Sequence, residues 1–196
     1  MRKILGTLIG LVVAACIAVY TITLPDPVPA NPPVPLGADI LGKLPKDRKG
    51  QVLIYGAYGF TGSGIARLAA DYGITPVLAG RNVSKLQPLA ESLGYDYVEL
   101  SLENNHDNLV KVLQHFELVL HIAGPYTFTG KPMLDAVVEA GTHYVDLTGE
   151  NHVIQAQLDR DDEFKQANIM VMPAVGFDVV PTDCLNVYVA EKVSNP

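Results

Sequence analysis

Gln51-Val52-Leu53-Ile54-Tyr55-Gly56-Ala57-Tyr58-Gly59-Phe60-Thr61-Gly62 decides the fold. Residues 51–55 are a short β-branched and aliphatic run that breaks directly into glycines, as a buried parallel strand does. The period then changes: Ile65, Leu68, Ala69 and Tyr72 recur at helical spacing and predict a helix with one apolar face. Between them lies a GxxGxxG loop. Gly56 makes the tight turn off the strand, Gly59 lets backbone approach a diphosphate, and Gly62 lets the helix pack closely on the sheet. Amides at the helix start then face the anion. The loop residues Gly56, Ala57, Tyr58, Gly59, Phe60, Thr61 and Gly62 are therefore candidate ligands of a dinucleotide.

The pattern repeats outward. Strands are expected at 75–79, 96–100, 118–122, 144–147 and 169–172, with room for a crossover helix between neighbours. Leu86, Leu89, Ala90 and Leu93 mark a second helix starting near Ser84, because Pro88 is awkward in a longer one, and ending at Gly94. Before the fifth strand, Pro132 reads as first-turn punctuation and Gly141 as the stop. Six strands alternating with helices predict an α/β fold, a Rossmann-like doubly wound parallel sheet.

The end of the second strand chooses the dinucleotide. An acid there would bond the ribose hydroxyls of NAD; the sequence has Ala79-Gly80-Arg81-Asn82 instead. Arg81 offers a planar fork for a phosphate and Lys85 adds a charge one turn on, so NADP is expected ahead of NAD.

The 196 residues carry a net charge of −7, unevenly spread: residues 1–50 hold +3 and the remainder −10. A body that acidic repels a phosphate backbone, which argues against nucleic acid. Two cysteines, Cys16 and Cys184, cannot build a zinc cluster, and no metal is expected. Residues 4–24 carry no charge and follow Arg2 and Lys3, enough for a helix to cross a bilayer. The stretch predicts an N-terminal membrane anchor over 1–24; a cleaved signal segment, and lipidation at Cys16, compete for the same residues. Six of the 14 prolines fall within 25–35, so 25–49 is a Pro-rich and basic linker ahead of the nucleotide-binding domain at 50–196. Charge at the N-terminus favours an exported body. The supply of reduced dinucleotide favours the cytoplasmic face, where the body is placed. A homo-oligomer is left open.

Five segments occur in one order: the loop at 56–62, Gly80-Arg81, Gly124-Pro125-Tyr126, the segment 144–150 (YVDLTGE) and the segment 175–183 (VGFDVVPTD). Together they resemble the nucleotide-binding domain of the saccharopine dehydrogenase family, most closely its saccharopine dehydrogenase-like oxidoreductase and trans-acting enoyl reductase branch. The resemblance covers about residues 51–190. It implies an NAD(P)-dependent oxidoreductase passing hydride to an imine carbon or, in the lipid-linked branch, to an activated double bond. A small-molecule or lipid-like substrate follows. Tyr58 stands where the family loop usually has a small Thr, so crowding of the pyrophosphate is expected. Family members continue into a second domain that forms much of the substrate pocket, so a chain ending at Pro196 is expected to be either a fragment or a truncated protein that keeps only the cofactor half.

Ligands in such sheets sit beyond the carboxyl ends of the strands. Ala123, Gly124 and Pro125 are expected to wall the nicotinamide ribose. Tyr126 is a candidate proton donor or cofactor-stacking ring, and Asp178 a candidate for orienting a substrate amine or general acid, or for capping a turn. His121 reads as a buried, hydrogen-bonded histidine, and His143 lies at the wrong end of its strand. Tyr188 and Lys192 fit the YxxxK spacing of short-chain reductases but follow the wrong strand, and Tyr188 is expected to pack with Leu185 on a core face.

Overall fold

The computed structural model describes residues 44–103 and 106–193. The proposed anchor and most of the linker lie outside them. Among the described residues no helix is long and apolar enough to cross a membrane.

Six strands form one sheet: β1 (Val52–Tyr55), β2 (Val77–Gly80), β3 (Tyr97–Glu99), β4 (Leu118–His121), β5 (His143–Asp146) and β6 (Val171–Met172). Every pairing is parallel and the order is β3-β2-β1-β4-β5-β6. This is the doubly wound order, with its reversal between β1 and β4. The strand ends finish level: Tyr55 pairs with Ala79 on one side and His121 on the other, and His121 with Asp146. Loops leaving these residues therefore share one edge.

Alternation along β1 feeds two cores. Leu53 and Tyr55 join Val119, Tyr144 and residues of α3 (His106–Leu113) and α4 (Tyr126–Ala140). Ile54 faces the other way, toward Ala66 of α1 (Phe60–Leu68) and Leu86 and Ala90 of α2 (Val83–Leu93). Completing the chain are α5 (Asn151–Leu158), α6 (Asp161–Gln166) and α7 (Val180–Val193).

Three local expectations change, and that for the start of α2, near Ser84, holds. The buried stripe of α1 is Gly62, Ala66 and, in the 3₁₀ turn that follows, Ala69, while Leu68 and Tyr72 are exposed. Close approach to the sheet favours small residues at the centre of that face; Ile65 packs at its margin, as the periodicity predicts, while Leu68 and Tyr72 are turned outward. Helix α2 starts at Val83, capped by Asn82, and runs through Pro88. The proline costs the bond to the Ser84 carbonyl on a solvent-facing side, where water replaces it. Helix α4 starts at Tyr126, so Pro132 stands in its second turn, although Gly141 does end it in the left-handed region at φ 66°. Finally, α7 buries none of its residues, and both Tyr188 and Leu185 are exposed. Its apolar residues are spread around the axis, so no one face turns to the sheet.

Candidate functional site

The site is built where the strand order reverses. Gly56 leaves β1 at φ +86°, a conformation that disfavours any side chain, and a Cβ there would stand 2.9 Å from the Ile122 carbonyl group just beyond β4. The Gly56 and Ala57 amides donate to the Ala79 carbonyl (2.9 and 3.2 Å), and the Gly59 amide donates back to Gly56 O (3.0 Å). A Cβ on Gly62 would collide with the Gly56 carbonyl oxygen and lie 3.0 Å from Ala57 Cα. The first turn of α1 thus sits against the loop backbone, leaving a concave surface that side chains would fill.

What fills it is decided by the helix ends. Three helices begin beside β1, β2 and β4. The N-terminus of α2 is capped by Asn82 Oδ1, which accepts from the Lys85 amide at 3.3 Å. That of α4 is occupied by the Glu150 carboxylate, which accepts from the amides of Tyr126 (2.7 Å) and Thr127 (2.8 Å) and from the Thr127 hydroxyl. Partial burial pushes the Glu150 pKa up, but these donors outweigh it and hold the carboxyl below its ordinary range. Helix α1 has Gly59 at its cap and no side-chain acceptor. Its first-turn amides, on Phe60, Thr61 and Gly62, carry the partial positive charge of the helix end into the glycine cradle. Phe60 and Thr61 are exposed, with 98% of Phe60 open to solvent. The residues present fit a diphosphate.

Beyond β2, Arg81 and Lys85 are exposed cations on the flank of this cradle. The guanidinium Nη1 of Arg81 lies 3.5 Å from Glu103 Oε1, with half of each side chain exposed. Tyr58 turns onto the end of β2: a Cβ on Gly80 would meet its ring at 2.5 Å. Ring and glycine are matched. The bulk expected to crowd the pyrophosphate is laid on Gly80, and Tyr58 packs against the core that contains Ile54 and Leu86.

The other half of the edge is closed by internal bonds. Ala123 O accepts from the Thr129 hydroxyl (2.6 Å), and Gly124 and Pro125 are exposed beside it. Tyr126 is buried; its hydroxyl donates to His121 O (3.0 Å) and accepts from the Leu147 amide (3.3 Å). Burial, above all, pushes its pKa up to about 12. Beneath it Tyr144 donates to Asp146 Oδ2 (2.8 Å), so the hydrogen shared between His121 and the Tyr144 oxygen (3.0 Å) sits on His121 Nδ1. The His121 Nε2 atom is buried. Burial lowers the His121 pKa to about 4, against the opposing pull of Asp146 and of the Ala123 backbone, which also acts on the ring. Asp146, fully buried, also accepts from Gln157 Nε2 (2.8 Å) and from the amides of Thr148 and Ala174 (both 3.0 Å). It ties β5, α5 and the loop after β6 together.

Asp178 lies on that loop with its carboxylate folded over Gly176, exposed to solvent, while its backbone carbonyl accepts from the Thr182 hydroxyl (2.7 Å). His143 opens β5 and Nδ1 accepts from the Met170 amide, at the end away from the site. Lys192 Nζ stands 5.4 Å from the Tyr188 ring centroid on α7. Between α4 and α5 is a cavity of about 230 Å³ with Leu134, Val153 and Ala156 as apolar lining and Lys131, His152 and Arg160 as polar lining. Sequence reasoning missed Glu103, the capping role of Glu150 and the Asp146 junction. Each joins residues more than ten positions apart, so no local motif marks it.

The family model described as the saccharopine dehydrogenase NADP binding domain matches residues 52–172. The chain belongs to this family. Among curated relatives, the trans-acting enoyl reductase of Mycobacterium tuberculosis (strain H37Rv) is 33% identical over 151 residues, covering 74% of this chain and 36% of its own. The human saccharopine dehydrogenase-like oxidoreductase is 25% identical over 168 residues, covering 76% of this chain and 39% of its own. Among solved structures, apo saccharopine dehydrogenase (L-Glu forming) from Saccharomyces cerevisiae superposes with TM-score 0.62 at 26% identity, over 74% of this chain and 31% of that one. The chain therefore spans about a third of the length of the relatives it matches. The matched stretch begins with β1 and ends with β6, so the family's NADP-binding domain is the sheet and crevice described above.

Proposed function

We propose that this chain is the cofactor-binding part of an NADP-dependent reductase that passes hydride to an imine or enoyl carbon of a lipid-like substrate. The glycine cradle at the uncapped start of α1, with Arg81 at the end of β2 and no acid on that strand end, carries the reading. The enoyl reductase relatives support an activated double bond as the acceptor. When bound, the cofactor supplies the hydride. The chain's own residues bind and orient. Amides of Phe60, Thr61 and Gly62 hold the diphosphate, Arg81 and Lys85 the ribose phosphate, and Ala123, Gly124 and Pro125 wall the nicotinamide side. The buried Tyr126 hydroxyl fixes that wall by holding the His121 carbonyl and the Leu147 amide. Asp178 is the exposed carboxylate left to orient a substrate group. The uncharged run 4–24 tethers the body at the cytoplasmic face of a membrane.

Fluorescence titration of the full chain in detergent with NADPH and NADH tests the reading. Wild type should prefer NADPH. Arg81→Ala removes a charge-assisted contact, so the NADPH dissociation constant should rise by about tenfold or more and that for NADH by far less. Equal losses for both nucleotides refute the assignment. One observation favours a second reading, a non-catalytic nucleotide-binding module: the Tyr126 hydroxyl is spent inside the protein. NADPH binding without oxidation of NADPH on enoyl thioester or imine substrates would select it.

A further inference from the structure

We propose that Glu103 moderates the NADPH over NADH preference that Arg81 creates at this site, by competing with the ribose phosphate for Arg81 and by offering its own carboxylate to a free 2′-hydroxyl; this rests on the nucleotide reading above. In dinucleotide folds the discriminating acid stands at the end of the second strand, and this sequence has none there. The fold supplies one from the neighbouring strand. Parallel pairing sets Gly80 beside Glu99, and the Leu100 amide donates to Gly80 O at 3.0 Å. The chain leaving β3 is thereby laid alongside the chain leaving β2.

The turn that presents Glu103 is held from below. Leu102 packs against the larger core, which also holds Tyr55, buried at the end of β1. The Glu103 amide donates to Ser101 Oγ at 3.2 Å. A short anchored turn thus projects one half-exposed carboxylate at Arg81, with Oε1 3.5 Å from Nη1. Nη1 is one of the donors that the guanidinium offers a 2′-phosphate. A phosphate bound there competes with Glu103 for Arg81 and sits next to the Glu103 carboxylate. With NADH neither cost arises, because a ribose hydroxyl donates to the carboxylate instead of repelling it. Glu103 thus works against the preference that Arg81 creates.

The test is to titrate the full chain, wild type and Glu103→Gln, with NADPH and with NADH at low salt. Glutamine keeps the shape and removes the charge. Exposed charge pairs are weak, so the expected rise in the ratio of the NADH to the NADPH dissociation constant is about threefold to tenfold. NADPH should bind more tightly and NADH more weakly. The gain should shrink in molar salt, where a contact between exposed charges is screened. A ratio that moves by less than threefold, or falls, overturns the proposal. Should the glutamine variant fail to fold, Glu103→Asp, which withdraws the same charge by one methylene, should move the ratio in the same direction, and no movement in it overturns the proposal equally. Failure here is distinct from failure of the nucleotide reading: if Arg81→Ala selectively weakens NADPH while Glu103→Gln leaves the ratio alone, only Glu103 is wrongly assigned.

Discussion

Two glycines in the same helix, two residues apart, should respond oppositely to the same methyl group. On Gly62 a Cβ runs into the Gly56 carbonyl oxygen and stands 3.0 Å from both Ala57 Cα and Ala57 O, all of them backbone. No rotamer change relieves such a contact; either α1 lifts off the loop or the loop opens. Overpacking of this kind costs about 1–3 kcal/mol, and the displaced atoms are those that shape the diphosphate cradle. On Gly64 a Cβ meets nothing within 4 Å. Alanine there gains helix propensity, about 1 kcal/mol in an exposed position. For a body of this size each kcal/mol moves the melting temperature by roughly 2–4 °C. Gly64→Ala should therefore melt a few degrees higher with NADPH affinity unchanged. Gly62→Ala should melt lower and bind NADPH at least about tenfold more weakly, reflecting a cradle whose amides no longer converge. Circular dichroism melts and fluorescence titrations of the two variants side by side decide it. Equal melting shifts, or a Gly62→Ala protein that binds NADPH like wild type, would refute the claim that α1 is held against the loop to make the site.

Glu150→Ala removes the acceptor for the first two amides of α4 and should cost about 1–2 kcal/mol by urea denaturation. Because its folded-state pKa is lowered, the wild-type contribution should be complete above the ordinary value of 4.5 and fade as pH falls through the lowered one; an alanine variant with the same acid profile as wild type counts against it. His121 gives a second pH signature: the unfolded ring takes a proton near 6.5 and the folded ring resists to about 4. Stability should be full above pH 6.5 and fall as pH drops to about 4, by up to about 3 kcal/mol, and His121→Gln should flatten that slope.

The parts legible in the sequence were those whose cause is local. A strand that runs straight into glycines, and Gly94 and Gly141 at helix stops, each record a backbone constraint within a few residues, and the doubly wound parallel sheet followed from them. Side-chain direction was less legible. Periodicity placed Leu68 and Tyr72 on the buried face of α1, yet the residues buried against the sheet are Gly62, Ala66 and Ala69, with Ile65 packed beside them. Hydropathy counts residue type, while the distance between helix and sheet, set by Gly62, chooses residue size. Tyr58 misled for a similar reason: its partner, Gly80, lies 22 positions away on another strand. Asp146 gathers donors from Tyr144, Thr148, Gln157 and Ala174, a set that only the crossovers assemble. Even Tyr126, found correctly at the edge, carried no sign that its hydroxyl turns inward.

These contrasts follow one division of the sheet edge. From β1 to β3 the uncapped amides of α1 and the cations Arg81 and Lys85 stand open to solvent, with Glu103 beside Arg81, while Asn82 closes the start of α2. From β4 to β5 the same kinds of group are consumed. The α4 amides go to Glu150, the Tyr126 hydroxyl to His121 O, and the Tyr144 hydroxyl to Asp146. A polar network satisfied in this way is stiff, since each group released without a partner costs about 1–3 kcal/mol. On the proposed reading, stiffness is what hydride transfer would ask of a nicotinamide wall, where misplacement by an ångström is costly in rate. Free donors are what nucleotide capture asks of the opposite half. A substitution on the β1–β3 side should accordingly appear as a change in nucleotide affinity or preference. One on the β4–β5 side should appear first in stability and in its dependence on pH.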